Sequence, residues 1–251
     1  MRGKDGRQKQ VSVSLFGRIL LGVLACLALA GGSARAEVAA DRHACTNISF
    51  HPLEITVPAC SRLIEGGLGG AEFFVALRRR ADAYHYGAYL RGSGTPAAPA
   101  EILERALADL DRAAALHTAG SDVQHPPFWL AGPVDFARGE VLLQLGRFAA
   151  AADAYNRVVE ATAGDLPSAR FGRALALRQL GRIEAALADM DALVAQAPKT
   201  VNWVFLRGQM LEDLGRRDAA IVDYRTVLDL APDHAAARLG LERLDAAAKA
   251  N

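Results

Sequence analysis

The stretch LRGQMLEDLGRRDAAIVDYRTVLDLAP, Leu206 to Pro232, sets a Leu-Gly-Arg step between two runs whose apolar residues recur at three and four positions. Almost the same wording stands upstream as ARGEVLLQLGRFAAAADAYNRVVE from Ala137 and FGRALALRQLGRIEAALADMDALVAQAP from Phe171. The glycines of the three steps are Gly146, Gly181 and Gly215, separated by 35 and then 34 residues. A fixed period of this size marks stacked supersecondary units. Spacing by three and four makes each half of a unit an amphipathic helix, and the glycine sits where the chain must turn at little steric cost.

Small residues set the distance between the two helices of a unit. Gly139, Ala174 and Gly208 lie seven residues before their turn glycines, and Ala151, Ala186 and Ala220 lie five after. Folded about the turn, the two positions face each other, and the missing side chains let the backbones approach. Bulky Tyr155, Met190 and Tyr224 follow four residues after each alanine, with Val158, Leu193 and Val227 three further on along the same face. Pro198 and Pro232, each preceded by Ala, end their helices.

These residues resemble the tetratricopeptide repeat, whose period is 34. The resemblance implies an all-α fold, a right-handed superhelical solenoid of antiparallel helix pairs. Three units match, at 132–166, 167–200 and 201–234; the first has one extra residue and no terminal proline. The family's first-helix Trp is missing from all three, and Trp203 falls one residue before that slot. A degenerate unit with a Gly/Pro-rich insertion and a following loop fills 71–131. It carries Arg80-Ala-Asp-Ala-Tyr84 and Ala106-Leu-Ala-Asp-Leu110. A half-repeat at 37–70 precedes it, and residues 235–251 form an alanine-rich capping helix. The opening with Cys and Ala-Cys-Ser-Arg-Leu-Ile is similar to exported bacterial members of the family.

Arginine stands before the small first-helix residue every time, as Arg80, Arg138, Arg173 and Arg207. Asp109, Asp189 and Asp223 lie three residues after the second-helix alanine. Pairs Arg80–Asp109, Arg173–Asp189 and Arg207–Asp223 are expected, each contributing ~0–1 kcal/mol if exposed. The unit with Ala154 at that place should lack one.

The first 36 residues differ from the rest. Arg2, Lys4, Arg7, Lys9 and Arg18 lead into the apolar run Ile19–Ala30, and Ala34-Arg-Ala36 follows. This is the pattern of a secretory signal peptide, with a cut expected after Ala36. The run would span roughly 18 Å, short of the ~30 Å core of a bilayer, so no stable membrane span is expected after cleavage. The chain is therefore expected in the periplasm or secreted. The leader takes six basic residues and one acid, leaving 23 basic and 27 acidic residues, a net charge of −4. No basic stripe remains for nucleic acid. The two remaining cysteines, Cys45 and Cys60, are read as one disulfide, which suits an exported chain.

No catalytic centre, metal site or cofactor motif is visible. GxSxG, HExxH, a Walker loop and CxxC are all missing. The Gly66–Gly70 run reads as a connection between helices. The doublets Asp109/Asp111 and Asp189/Asp191 point to different sides of a helix, and their repetition marks a scaffold feature. What remains is surface. Mapped from the family, the first helices line a concave groove through Phe136 and Glu140, then Phe171, Leu175 and Arg178, then Asn202, Phe205, Gln209 and Glu212. The phenylalanines, three residues before each small residue, have two readings. They form an apolar ladder for a partner segment, or they replace the missing Trp in packing between helices. The function expected is a non-enzymatic interaction scaffold holding a protein or peptide. The alternatives are an enzyme with its site in 37–124 and a homodimer joined through the open solenoid end.

Overall fold

In a computed structural model the chain is described at residues 35–46, 52–92, 100–118 and 134–249. Among these residues there is no strand. The helices are α1 (35–46), α2 (Val57–Glu65), α3 (Gly70–Gly92), α4 (Ala100–Thr118), α5 (Val134–Gln144), α6 (Phe148–Ala161), α7 (Pro167–Gln179), α8 (Ile183–Gln196), α9 (Val201–Asp213), α10 (Arg217–Leu230) and α11 (Ala235–Lys249). A π-helical turn, Pro52–Thr56, leads into α2. From α2 onward each helix packs on the next, and α5 also touches α3 and α7. The result is the antiparallel, stacked solenoid that the period implies. The insertion expected after Leu90 falls partly in α3, which runs to Gly92, and otherwise outside the described residues. So does most of the loop before α5. Of the leader only Arg35 and Ala36 are described, as the start of α1.

The Leu-Gly-Arg step closes the same turn three times. Gly146, Gly181 and Gly215 have φ of 70°, 71° and 70°. In each turn the arginine N–H donates to the carbonyl five residues back, Leu142, Leu177 or Leu211, at 2.8–2.9 Å. The glycine N–H donates three back. This pair of bonds is the Schellman motif, and it satisfies carbonyls that the helix end would leave bare.

The extra residue of the first unit has a local answer. α8 and α10 end on extended Ala197 and Ala231, with the proline next. α6 instead ends through a second left-handed turn, Ala163 (φ 49°) and Gly164 (φ 83°). One more residue is absorbed there before Pro167 opens α7.

The core follows the small residues. Ala151, Ala174, Ala186 and Ala220 are fully buried, as are Met190, Leu193, Tyr224 and Val227. At the N-terminal end a smaller cluster forms around Cys45, Ala59, Cys60 and Leu63. Cys45 and Cys60 are bonded, S–S 2.10 Å, which ties α1 to α2. Arg62 adds a two-pronged bond to Asp41. The N-terminal piece is thus two linked helices.

Candidate functional site

Two sets of contacts hold the helix pairs in register, and both shape the face that the first helices present. One is polar. Arg80, Arg173 and Arg207 each grip their expected aspartate with two hydrogen bonds, at 2.7 and 2.7 Å, 2.8 and 2.6 Å, and 2.8 and 2.6 Å. The pairs are less exposed than the low figure for surface pairs supposes. Asp109, Asp189 and Asp223 are only 3–4% exposed, so these are half-buried, charge-assisted pairs. The aspartate bonds push each guanidinium still higher in pKa, against the opposing pull of burial.

Each arginine also reaches back to the preceding second helix. Arg80 donates to Ser61, Arg138 to Asp111, Arg173 to Asn156 and, at 3.4 Å, Arg207 to Asp191. The second aspartate of each doublet therefore serves the next unit. Arg138, facing buried Ala154, has no partner within its own hairpin's second helix. It bonds Asp111 and Asp135 instead, and Arg157 clamps Asp135 from across the hairpin.

The other set is aromatic. The hydroxyl-bearing end of the Tyr155 ring lies against Gly139 of α5 on one side and Gly172 of α7 on the other; a Cβ on either glycine would come within 3 Å of ring carbons. Tyr224 is held likewise between Gly208 of α9 and Gly240 of α11. Met190 at the same register has Ala174 and Leu206 at the flanking places. Gly172 and Gly240 were not singled out from the sequence. Their signal is a glycine 17 or 16 residues after the second-helix tyrosine, at the place where Leu206 follows Met190.

The residues assigned to the groove divide on this scaffold. Phe136, Phe171 and Phe205 are half-buried at one register and pack against the core. Phe136 meets the Tyr155 ring edge-on at 5.8 Å, while Phe205 lies 5.8 Å from Tyr224 and 4.6 Å from His234. They therefore pack between helices and still keep part of each ring at the surface. Arg178 and Gln209 come together, at 3.0 Å, and Arg178 also bonds Asp213. Glu212 accepts from the Tyr224 hydroxyl at 2.6 Å and from Arg243 of α11 at 3.0 and 3.1 Å. Burial pulls the Glu212 carboxyl upward, but the bonds from Arg243 and Tyr224 prevail and hold it below its ordinary range. Asn202 is exposed and Leu175 half-buried. Glu140 is half-buried with no hydrogen-bond partner among the described residues, and burial raises its pKa. On the neighbouring α3 stand the Arg78–Asp82 pair and His85, the latter 2.8 Å from Gln144. Burial lowers the His85 pKa.

Helix pairs of constant period, closed by the same glycine turn and faced with alternating ring and glycine, leave few families to consider. Residues 136–200 match the family model described as Tetratricopeptide repeat, and residues 204–234 match a second model of that description. The chain carries tetratricopeptide repeats. No curated protein matches it. Among solved structures, these repeats superpose on YrrB, "a TPR protein with an unusual peptide-binding site", with TM-score 0.58 at 19% identity, covering 74% of this chain and 82% of that one. They also superpose on MamA, TM-score 0.55 at 15% identity, over 72% and 84% of the two chains. A tetratricopeptide repeat protein from Parabacteroides merdae gives TM-score 0.51 at 19% identity, over 66% and 59%. At these identities the likeness is one of fold. The tetratricopeptide fold makes this chain a protein-interaction scaffold in the general sense. Among the described residues no helix is long and apolar enough to cross a membrane.

Proposed function

We propose that the chain is a non-enzymatic scaffold of the periplasm, or a secreted one, that holds a segment of a partner protein along the face of α5, α7 and α9. The observation that carries this reading is the half-buried row Phe136, Phe171 and Phe205. These rings stand at one register on three successive first helices and keep apolar surface open beside polar groups. A bound segment would lay alternate side chains against that row, with Asn202, Arg178 and Gln209 available to its backbone. Arg178, Gln209 and Glu212 are already bonded within the chain, so they are held in place before a partner arrives. Pre-ordering of this kind lowers the entropic cost of association. The basic head, apolar run and Ala-x-Ala of residues 1–36 support export.

The test is capture from a periplasmic extract on immobilised protein, followed by identification of what is retained. Phe171→Ala with Phe205→Ala should release the retained protein while circular dichroism stays helical. Retention unchanged by the double substitution would refute the groove. N-terminal sequencing of protein recovered from the periplasm should begin at Glu37; an intact leader on the recovered protein would refute the export reading.

A further inference from the structure

The row of apolar side chains does not stop at α9. On α11, Gly240 lies against the Tyr224 ring as Gly172 of α7 lies against Tyr155. α11 is therefore docked on α10 as α7 is docked on α6. The residue before each glycine then occupies one place, Phe171 on α7 and Leu239 on α11. The period agrees, since Leu239 lies 34 residues after Phe205. Toward the other end the row stops. The same place on α3, three residues before Ala81, holds Arg78, which is bonded to Asp82.

Leu239 separates two roles that the phenylalanines combine. Phe136 and Phe205 lie against the tyrosine of their own second helix, Tyr155 or Tyr224, so packing alone accounts for a ring there. Among the described residues no second helix follows α11. Leu239 lacks such a neighbour and is 56% exposed. Closing the end of the stack does not account for it either, because α11 turns charge toward that end. Glu242 stands where the close contact has Gly139, Ala174 and Gly208, and Asp245 where Leu142, Leu177 and Leu211 are buried. Both acids are exposed. A second copy stacked on this end would bury the two carboxylates, which costs free energy unless each finds a partner. On the groove side the polarity is reversed. Exposed Ala236 and Ala246 flank Leu239 on one helical face, at the places of Asn202 and Glu212.

We propose that Leu239, with Ala236 and Ala246, is the last seat of the groove and takes a bulky apolar side chain near one end of the bound partner segment. This rests on the groove reading above and extends it from three helices to four. Crossing four first helices at ~8–10 Å a step takes an extended segment of at least about eight residues. The small alanines leave room beside Leu239 for a branched or aromatic side chain, which would cover the leucine that the fold leaves bare.

The experiment starts from an array of synthetic 12-residue peptides and takes forward those that the full chain binds and its Phe171→Ala, Phe205→Ala variant does not. Affinities are then measured by fluorescence anisotropy. Leu239→Ser should weaken binding about tenfold, with an unchanged urea midpoint because the side chain is exposed. Val222→Ser, which removes the 60% exposed valine of α10, should leave binding intact. Serine in place of one apolar residue near a peptide end should weaken binding to the wild type and not to Leu239→Ser. Binding that needs the phenylalanines but is indifferent to Leu239→Ser overturns this inference and leaves the groove standing. So does a dimer, seen by light scattering, that Leu239→Ser dissociates, since the face then belongs to a second copy. Absence of any binding that needs the two phenylalanines overturns both.

Discussion

Gly172→Ala puts the aromatic packing to a direct test, because two effects of known size act with opposite signs. In a helix with free space, alanine in place of glycine stabilises by roughly 1 kcal/mol through backbone entropy. At Gly172 the new methyl would stand 2.6 and 2.7 Å from Cε1 and Cε2 of Tyr155. Carbons sit comfortably at ~3.5–4.0 Å, so the overlap is about 1 Å. The ring cannot slide away freely, since Gly139 backs it from α5; a Cβ there would also lie 2.8–2.9 Å from the ring. Relief requires α5 and α7 to move apart, and overpacking of this kind costs ~1–3 kcal/mol. The net expectation is a loss of about 1–2 kcal/mol. It should be read from urea unfolding followed by circular dichroism, as a lower midpoint at unchanged slope. Tyr155→Met converts the site to the type found at Met190, flanked by Ala174 and Leu206. In that background Gly172→Ala should stabilise, giving a coupling of about 2 kcal/mol between the two positions. A higher midpoint for Gly172→Ala alone, or the same effect in both backgrounds, refutes the ring-and-glycine account.

Three further outcomes follow from the same geometry. Arg173→Ala leaves Asp189 buried without its two-pronged partner and should cost about 2–4 kcal/mol in urea unfolding, while Arg105→Ala on exposed α4 should change little. Glu140 has a folded-state pKa raised above its ordinary 4.5 by burial, so the unfolded chain ionises first as pH rises. Stability relative to Glu140→Gln should then be equal below that value, fall as pH climbs through the raised one and stay flat beyond; a wild type that gains on the variant with rising pH contradicts this. Ala163→Gly relieves an L-residue held at φ 49° and should stabilise by about 0.5–1 kcal/mol, seen as a higher midpoint.

Contacts within a hairpin were legible in the sequence, and contacts between hairpins mostly were not. Once Gly146, Gly181 and Gly215 are placed in turns, counting outward fixes which residues of the two helices meet. Hence Gly208 against the Ala220 side of α10, and Arg80, Arg173 and Arg207 against their aspartates, could be read from spacing alone. The partner of Asp111 or Asp191 depends on how one pair is rotated onto the next, and no local count supplies that rotation. Asp109, Asp189 and Asp223 are more buried than an exposed pair would be, each held under the arginine of its own hairpin's first helix. Glu212 was assigned to the open face because Arg243 belongs to another pair. The export signal and the partner remain matters of composition and chemistry, since residues 1–34 lie outside the described structure.

Near-identical units carry a hazard that the irregularities of this chain answer. If α7 and α9 were interchangeable, α6 could pack against either first helix and the stack would have competing orders. The rings prevent it. Tyr155 needs glycine on the helix that follows, and α7 offers Gly172 where α9 has Leu206. Docked on α9, the Tyr155 ring would meet a leucine side chain where it now meets bare backbone. Tyr224 makes the same demand and finds Gly240 on α11. Met190, flexible and narrower, is the residue that tolerates Leu206. The back-reaching bonds add a second filter, since Arg173 donates to an asparagine of α6 where Arg207 donates to an aspartate of α8. Departures from the repeat pattern, which look like decay when the sequence is aligned on its glycines, thus specify the order in which the pairs stack.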